Sequence, residues 1–156
     1  MRKRECTPSS AFFQVFSYPT EDVDKVLLAL YSIIPESLND KLSVDLSTVR
    51  GHFGEPIIII NAKLEKSKDV DIFLKHLVNK LSSSAKRRLS RNLDKLIDDH
   101  ANLYIRLSKQ DAYFGSIKLG HKDIIKTKIH FIVFGDKKEK IRKYFEDLGL
   151  TKDDKT

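Results

Sequence analysis

Apolar residues recur along this chain in two rhythms, every second position and every third or fourth, and the switches between them predict its elements. Ala11 to Tyr18 reads as a strand rich in Phe and Val, broken at Tyr18-Pro19. Thr20 then stands as an N-cap, with Glu21, Asp22 and Asp24 at the positive end of a helix dipole. Val23, Val26, Leu27, Leu30 and Ile34 carry that helix to Pro35, which ends it. Leu42, Val44 and Leu46 alternate with Ser43, Asp45 and Ser47, the pattern of a half-buried strand. After the turn Gly51-His52-Phe53-Gly54-Glu55-Pro56, the run from Ile57 to Leu64 predicts its hairpin partner. Ser67 opens a helix that aligns Val70, Phe73, Leu74, Leu77, Val78 and Leu81. Ser82-Ser83-Ser84 interrupts it and caps a further helix, marked by Leu89, Leu93, Leu96 and Ile97.

Period two returns from Asn102 to Lys109, with Leu103, Ile105 and Leu107 inward. A turn or helical turn from Lys109 to Gly115 precedes a long strand, Asp123 to Phe134. That strand faces Ile125, Ile129, Phe131 and Val133 one way and Lys126, Lys128 and His130 the other. Asp136 and Glu139 form a capping box for a last helix of Ile141, Tyr144, Phe145 and Leu148, and Gly149 can end it. The order β-α-β-β-α-α-β-(β)-β-α predicts an α+β single-domain sandwich: a mostly antiparallel sheet with helices packed on one face and the other face open to a ligand. The expected divisions are a flexible basic N-terminus over 1–9, one domain over 10–150 and a frayed tail over 151–156.

Charge sharpens this picture. Residues 75–143 hold 18 Lys and Arg against 7 Asp and Glu, a net +11, whereas the whole chain of 156 residues is +7 and the remainder sums to −4. A positive balance confined to part of one small domain is the footprint of a polyanion-binding face. No apolar run approaches the ~20 residues that span a bilayer. Polar residues follow Met1-Arg2-Lys3-Arg4, where a signal peptide needs an apolar core. The lone Cys6 excludes an internal disulfide and fits a reducing compartment, so cytoplasm is the expected location.

Arg87, Arg88, Arg91 and Lys95 centre opposite the apolar side of their helix and form an exposed basic stripe. They crowd its first half while Asp98 and Asp99 crowd its end, both against the macrodipole, an arrangement that suits phosphate contact better than helix stability. An ordinary solvated face is the alternative. Gly51-His52-Phe53-Gly54 matches the G-x-x-G pattern that clamps nucleotide backbone in KH domains, although here it joins two strands. Either exposed His52 and Phe53 stack on a base, or Phe53 tucks into the core. Tyr104 and Arg106 alternate outward on their strand, followed by Lys109, Gln110 and Tyr113, an interleaving that suits base stacking with phosphate contact. The alternative packs Tyr104 or Tyr113 under a helix with its hydroxyl wet. Lys118, Lys122, Lys126, Lys128 and Lys143 extend the positive field.

Catalytic signals are poor. His52, His76, His100, His121 and His130 lack zinc spacing, and there is no P-loop or G-x-S-x-G. A nuclease-like Mg²⁺ site needs Asp98, Asp99, Asp111 and Asp123 to gather, and acids at element ends are usually caps. The expectation is a non-catalytic protein with no metal and no cofactor.

Three blocks occur in order: Pro19-Thr20-Glu21-Asp22-Val23-Asp24-Lys25-Val26, then Gly51-His52-Phe53-Gly54-Glu55-Pro56-Ile57, then Leu103-Tyr104-Ile105-Arg106-Leu107-Ser108-Lys109-Gln110-Asp111-Ala112-Tyr113-Phe114-Gly115. Together they resemble a family of small archaeal proteins described as predicted RNA-binding proteins or exosome subunits, and the third block is the most specific. The family pattern favours Asp at position 108 and Asn at 55, where this chain has Ser108 and Glu55. The resemblance implies an α+β fold like that of a 5S-rRNA-binding ribosomal protein, also described as double-stranded-RNA-binding-like. It implies binding of structured or double-stranded RNA near RNA processing, with exosome or ribosome-related proteins as partners. The expected interface is Arg87, Arg88, Arg91 and Lys95 on phosphates, Arg106, Lys109 and Tyr113 beside them, and His52 and Phe53 on a base or ribose. The expected state is a monomer or weak dimer away from membranes. An adaptor that offers the basic patch to an acidic protein is the second reading, and a metal-dependent nuclease the third.

Overall fold

A computed structural model describes residues 5–150; residues 1–4 and the tail 151–156 lie outside the described part. β1 (Cys6–Ser17) is the middle strand of a five-stranded sheet. β3 (Pro56–Leu64) and β5 (Ile124–Val133) flank it, and β2 (Ser43–Arg50) and β4 (Asn102–Ser108) form the two edges. Every pairing is antiparallel. The register places Ala11, Phe13 and Val15 beside Leu64, Ala62 and Ile60, and Leu103, Ile105 and Leu107 beside Ile129, Thr127 and Ile125. All are buried on one side of the sheet, because period two sends every second side chain to the same face.

The helices are α1 (Val23–Ser32), α2 (Ser67–Lys80), α3 (Ser83–Asn92), α4 (Lys109–Tyr113) and α5 (Lys137–Asp147). They cover the buried face and leave the other open. Phe73 of α2 meets Phe13 edge-on at 5.0 Å, and Tyr144 and Phe145 of α5 meet Phe131 at 5.5 and 6.1 Å. The chain is therefore an α+β domain with one open antiparallel sheet. The capping box of α5 forms as the sequence reads, with the Glu139 N–H donating to Asp136 Oδ1 at 3.0 Å.

Several boundaries differ from the sequence reading. β1 begins at Cys6, so Cys6 to Ser9 belong to the sheet and not to a flexible terminus, because Cys6, Thr7 and Pro8 pair with Val133, Ile132 and Phe131. Asp22, not Thr20, caps α1, accepting from the Asp24 N–H at 2.9 Å. That helix ends at Ser32, and Pro35 precedes a separate 3-10 turn, Glu36–Leu38. β2 is exposed on both faces along most of its length, with Leu46 47% exposed, since the helical layer stops short of it.

Most consequential for the site, α3 stops at Asn92 and a 3-10 turn, Leu93–Leu96, follows. Arg142 of α5 fixes this change of winding, donating to the Ser90 carbonyl at 2.9 Å and pairing with Asp94 at 3.2 Å. Asp98 and Asp99 therefore lie beyond the helix and do not oppose its dipole. Asp98 instead organises the next turn, accepting from the His100 and Asn102 N–H groups, both at 2.9 Å, and from the Tyr104 hydroxyl at 3.1 Å.

Candidate nucleic-acid interface

Sequence-distant cations meet at the β4 edge. The outer side of β4 is bridged at both ends, by Ile97 against Leu103 and by Leu119 against Leu107. The second bridge needs a glycine: a Cβ on Gly120 lands 2.9 Å from Ser108 Cα, closer than real contacts allow. Between the bridges lies a groove of about 490 Å³, walled by α3 and its 3-10 turn on one side and β4 on the other. Arg88, Asn92 and Lys95 reach it from positions i, i+4 and i+7, and Tyr104 and Arg106 come from alternate positions of β4. No carboxylate lines it. Arg87 and Arg91 are exposed on the adjacent strip of α3 and do not line this groove. The helical repeat explains the split, since residues three or four apart share a face and i, i+1 neighbours do not.

Arg88 and Leu119 also line a second cavity of about 660 Å³, between the end of α2, the start of α3 and the segment Gly115–Leu119. Lys80, Lys118 and His76 face it. Burial, then the neighbouring Lys80, lowers the His76 pKa from its usual value. The Ser82 hydroxyl sets the entry into α3 by accepting from the Ala85 N–H at 3.1 Å. Arg88 and Leu119 thus border both cavities.

The open sheet face adjoins this groove through Arg106 and Tyr104. Strand register assembles two cross-sheet rows there: Asp45, Asn61, Gln14, Lys126, Arg106 and Ser43, Lys63, Phe12, Lys128, Tyr104. These two rows hold four cations, two aromatic rings and two amides; their acid, Asp45, sits at the far edge, and Lys63 pairs with Glu65 at 3.4 Å. Lys126 lies 6.0 Å from the Tyr104 ring centroid. The sequence reading found Tyr104, Arg106, Lys126 and Lys128 by alternation. It missed Phe12, Gln14 and Lys63, whose signal was the polar parity of β1 and β3, and Asn92, which one helical turn from Arg88 points to.

Other expected contacts lie elsewhere. Lys109 is wholly buried, which corrects its placement on the surface. Its ammonium sits 2.8 Å from Glu21 and 3.0 Å from Asp123, donates to the Phe16 carbonyl at 2.9 Å and lies 5.2 Å from the Tyr18 ring. Tyr113 is half-buried and donates to the other Glu21 oxygen at 2.9 Å. Burial opposes the Glu21 charge, but hydrogen bonds from Lys109, the Tyr18 N–H and Tyr113 outweigh it and hold the carboxyl below its usual range. Burial and the bond to Glu21 push Tyr113 up to about 12. These groups join β1, α1, α4 and β5 as an internal clamp.

His52 and Phe53 occupy the tip of the β2–β3 hairpin, with Phe53 91% exposed and the two rings 4.9 Å apart. Glu55 shapes that tip by accepting from the Phe53 N–H at 2.9 Å, and Gly54 adopts a φ of 82°. The hairpin stands at the opposite edge from the groove, four strand spacings or roughly 19 Å away. Among the described residues no three His, Cys, Asp or Glu side chains gather as a metal site, and no helix is long and apolar enough to cross a membrane.

An open basic sheet bordered by a cationic groove has the electrostatic character that suits a polyanionic ligand. The chain belongs to the RNA-binding family, whose model matches residues 11–131. It is 33% identical over 132 residues to a Pyrococcus abyssi protein named as RNA-binding, covering 83% of this chain and 86% of that one. An uncharacterised Methanocaldococcus jannaschii protein is 35% identical over 140 residues, 85% of this chain and 93% of its own. A crystal structure of an Archaeoglobus fulgidus protein, of a family of unknown function, superposes with a TM-score of 0.76 at 27% identity, covering 90% of this chain and 99% of that chain.

Proposed function

We propose that this chain is a non-catalytic RNA-binding module that reads backbone and shape through the α3–β4 groove and the adjoining open sheet. The observation that carries the reading is the convergence of Arg88, Lys95 and Arg106, from a helix, a 3-10 turn and an edge strand, on one groove without a carboxylate in its wall. Three elements aim like charges at one space, at an electrostatic cost that an anionic ligand relieves. The partner is a structured RNA whose phosphates meet the groove and whose folded surface covers the sheet. Arg87 and Arg91 add to the field from the neighbouring strip. The setting is RNA processing, with exosome or ribosome-related proteins nearby, in the cytoplasm.

Titration against structured RNA from about 50 to 300 mM salt tests this reading. Log affinity falls linearly with log salt for the wild type. Arg88→Glu with Arg106→Glu lowers affinity at least tenfold and flattens the slope by about 0.7–0.9 for each phosphate no longer neutralised. Both side chains are exposed, so the melting temperature stays within a few degrees of wild type. Unchanged affinity in the double variant sinks the reading. Mg²⁺-dependent cleavage that a chelator stops replaces it with the nuclease.

A further inference from the structure

The bridges that seal the ends of β4 leave a slot between them. The Asn102 carbonyl accepts from the Asp98 N–H at 2.9 Å, the Arg106 carbonyl from the Gly120 N–H at 2.9 Å, and the Ser108 N–H donates to the Lys118 carbonyl at 2.8 Å. All three groups belong to even-numbered residues, so even positions turn their main-chain groups outward, away from β5. The Tyr104 carbonyl and the Arg106 N–H therefore also face outward, between the two seals. Among the described residues no main-chain group of a turn or loop hydrogen-bonds to either one. They stand on the floor of the groove walled by Arg88, Asn92 and Lys95.

One acceptor and one donor flank a single residue, Ile105. A β-strand partner could add only one residue there, because the bridged segments block it on both sides. A short planar group that carries a donor and an acceptor along one edge needs no more length than that. Nucleobases have such an edge on their Watson–Crick side, and it is free only when the base is unpaired. The surrounding cations select for the phosphates on either side of that base, and Arg88 also borders the second cavity, which Lys80 and Lys118 line.

We propose that the β4-edge groove binds an unpaired nucleotide of RNA, its base edge on the Tyr104 carbonyl and the Arg106 N–H and its flanking phosphates on Arg88, Lys95 and Lys80. The inference rests on the RNA-binding reading and adds to it a single-stranded segment as ligand. A duplex presents its paired edges to its own partner strand and is too wide to enter between α3 and β4.

Amide NMR with a short uridine-rich oligoribonucleotide, a fully paired blunt-ended RNA duplex and an acidic peptide as probes tests it. The single strand shifts the Arg106 amide resonance and slows its hydrogen exchange severalfold, while the duplex leaves that amide unchanged. Removing the Arg106 N–H would disturb the strand itself, so a base-free ribose-phosphate oligomer of the same length serves as the second measurement. It binds at least fivefold more weakly than the uridine oligomer, and Arg88→Glu with Lys95→Glu weakens both, since both carry the phosphates. A single strand that binds without touching the Arg106 amide overturns the proposal, as does equal binding of the base-free oligomer. Protection of that amide by the acidic peptide and not by RNA makes the slot a peptide site and overturns it too. Failure of every RNA, single-stranded and duplex alike, refutes the underlying RNA-binding reading, whereas binding of the duplex alone keeps that reading and overturns the slot proposal.

Discussion

Lys109 shows at the residue scale why charge counted along a chain is not charge on a surface. Its partners Glu21 and Asp123 lie far from it in sequence, so nothing local marked it as internal. Lys109→Met leaves Glu21 and the bond from Tyr113 without their cation, and breaking such a buried pair costs about 3–5 kcal/mol. The thermal unfolding midpoint, followed by circular dichroism, should fall by roughly 10 °C, while RNA affinity measured well below the transition stays within twofold of wild type. The reverse pattern, intact stability with weakened binding, would return Lys109 to the interface. Two other residues set the pH range. Burial opposes the charge of Asp98, but its hydrogen bonds from Asn102, His100 and Tyr104 outweigh this and bring its pKa from 3.8 down to about 2. A lowered folded pKa stabilises above the unfolded value, and that stability is lost as pH falls from about 4 to 2. Tyr113 is raised from 10.0 to about 12, so its contribution is complete below pH 10 and disappears as pH rises to 12. Urea denaturation across that range checks both limbs: Asp98→Asn flattens the acid limb and Tyr113→Phe the alkaline one, each by about 1–2 kcal/mol. The departures from the family pattern also find their chemistry here. Ser108 caps α4 through its hydroxyl, accepting from the Asp111 N–H at 3.1 Å as an aspartate does, and Glu55 orders the hairpin tip.

At the scale of elements, the strands were legible and the end of α3 was not. Leu89, Leu93 and Leu96 keep a spacing that an α-helix and a helix ending in a 3-10 turn both satisfy, so periodicity alone runs through the boundary. What sets it is Arg142, which engages Ser90 and Asp94 from an element 52 and 48 residues away. The dipole argument for the basic stripe depended on a helix reaching Asp98 and falls with it, while Arg88 and Lys95 keep their place through geometry. Likewise, alternation gave the outward residues of each strand, but only register put Lys128 between Phe12 and Tyr104. Two variants test the elements. Ser82→Ala removes the α3 cap and costs about 1 kcal/mol in urea unfolding. Phe53→Ala, at an exposed tip, changes stability by less than about 0.5 kcal/mol. It leaves the affinity for a short oligoribonucleotide unchanged, because the hairpin stands at the other edge of the sheet; a tenfold loss would show that even a short RNA spans both edges.

For the whole molecule, an acidic remainder and a basic portion divide a modest net charge, and the fold gathers part of the positive share on one open face and its border. Lys63→Glu with Lys128→Glu should therefore weaken binding of structured RNA severalfold at low salt and far less near 300 mM, as screening demands, with Lys25→Glu and Lys41→Glu as a charge-matched control outside the groove and the open face. The two borders of the sheet are unequal in another respect. β4 is bridged at both ends by its own chain, whereas among the described residues β2 ends the sheet with no strand beyond it. Growth by strand addition needs two receptive borders on every unit, one to join and one to be joined. Here each unit has one. Copies that meet through β2 form a twofold pair whose outward borders are both bridged β4 strands, so the series terminates at two. The same segments that shape the groove thus also close that border to strand addition.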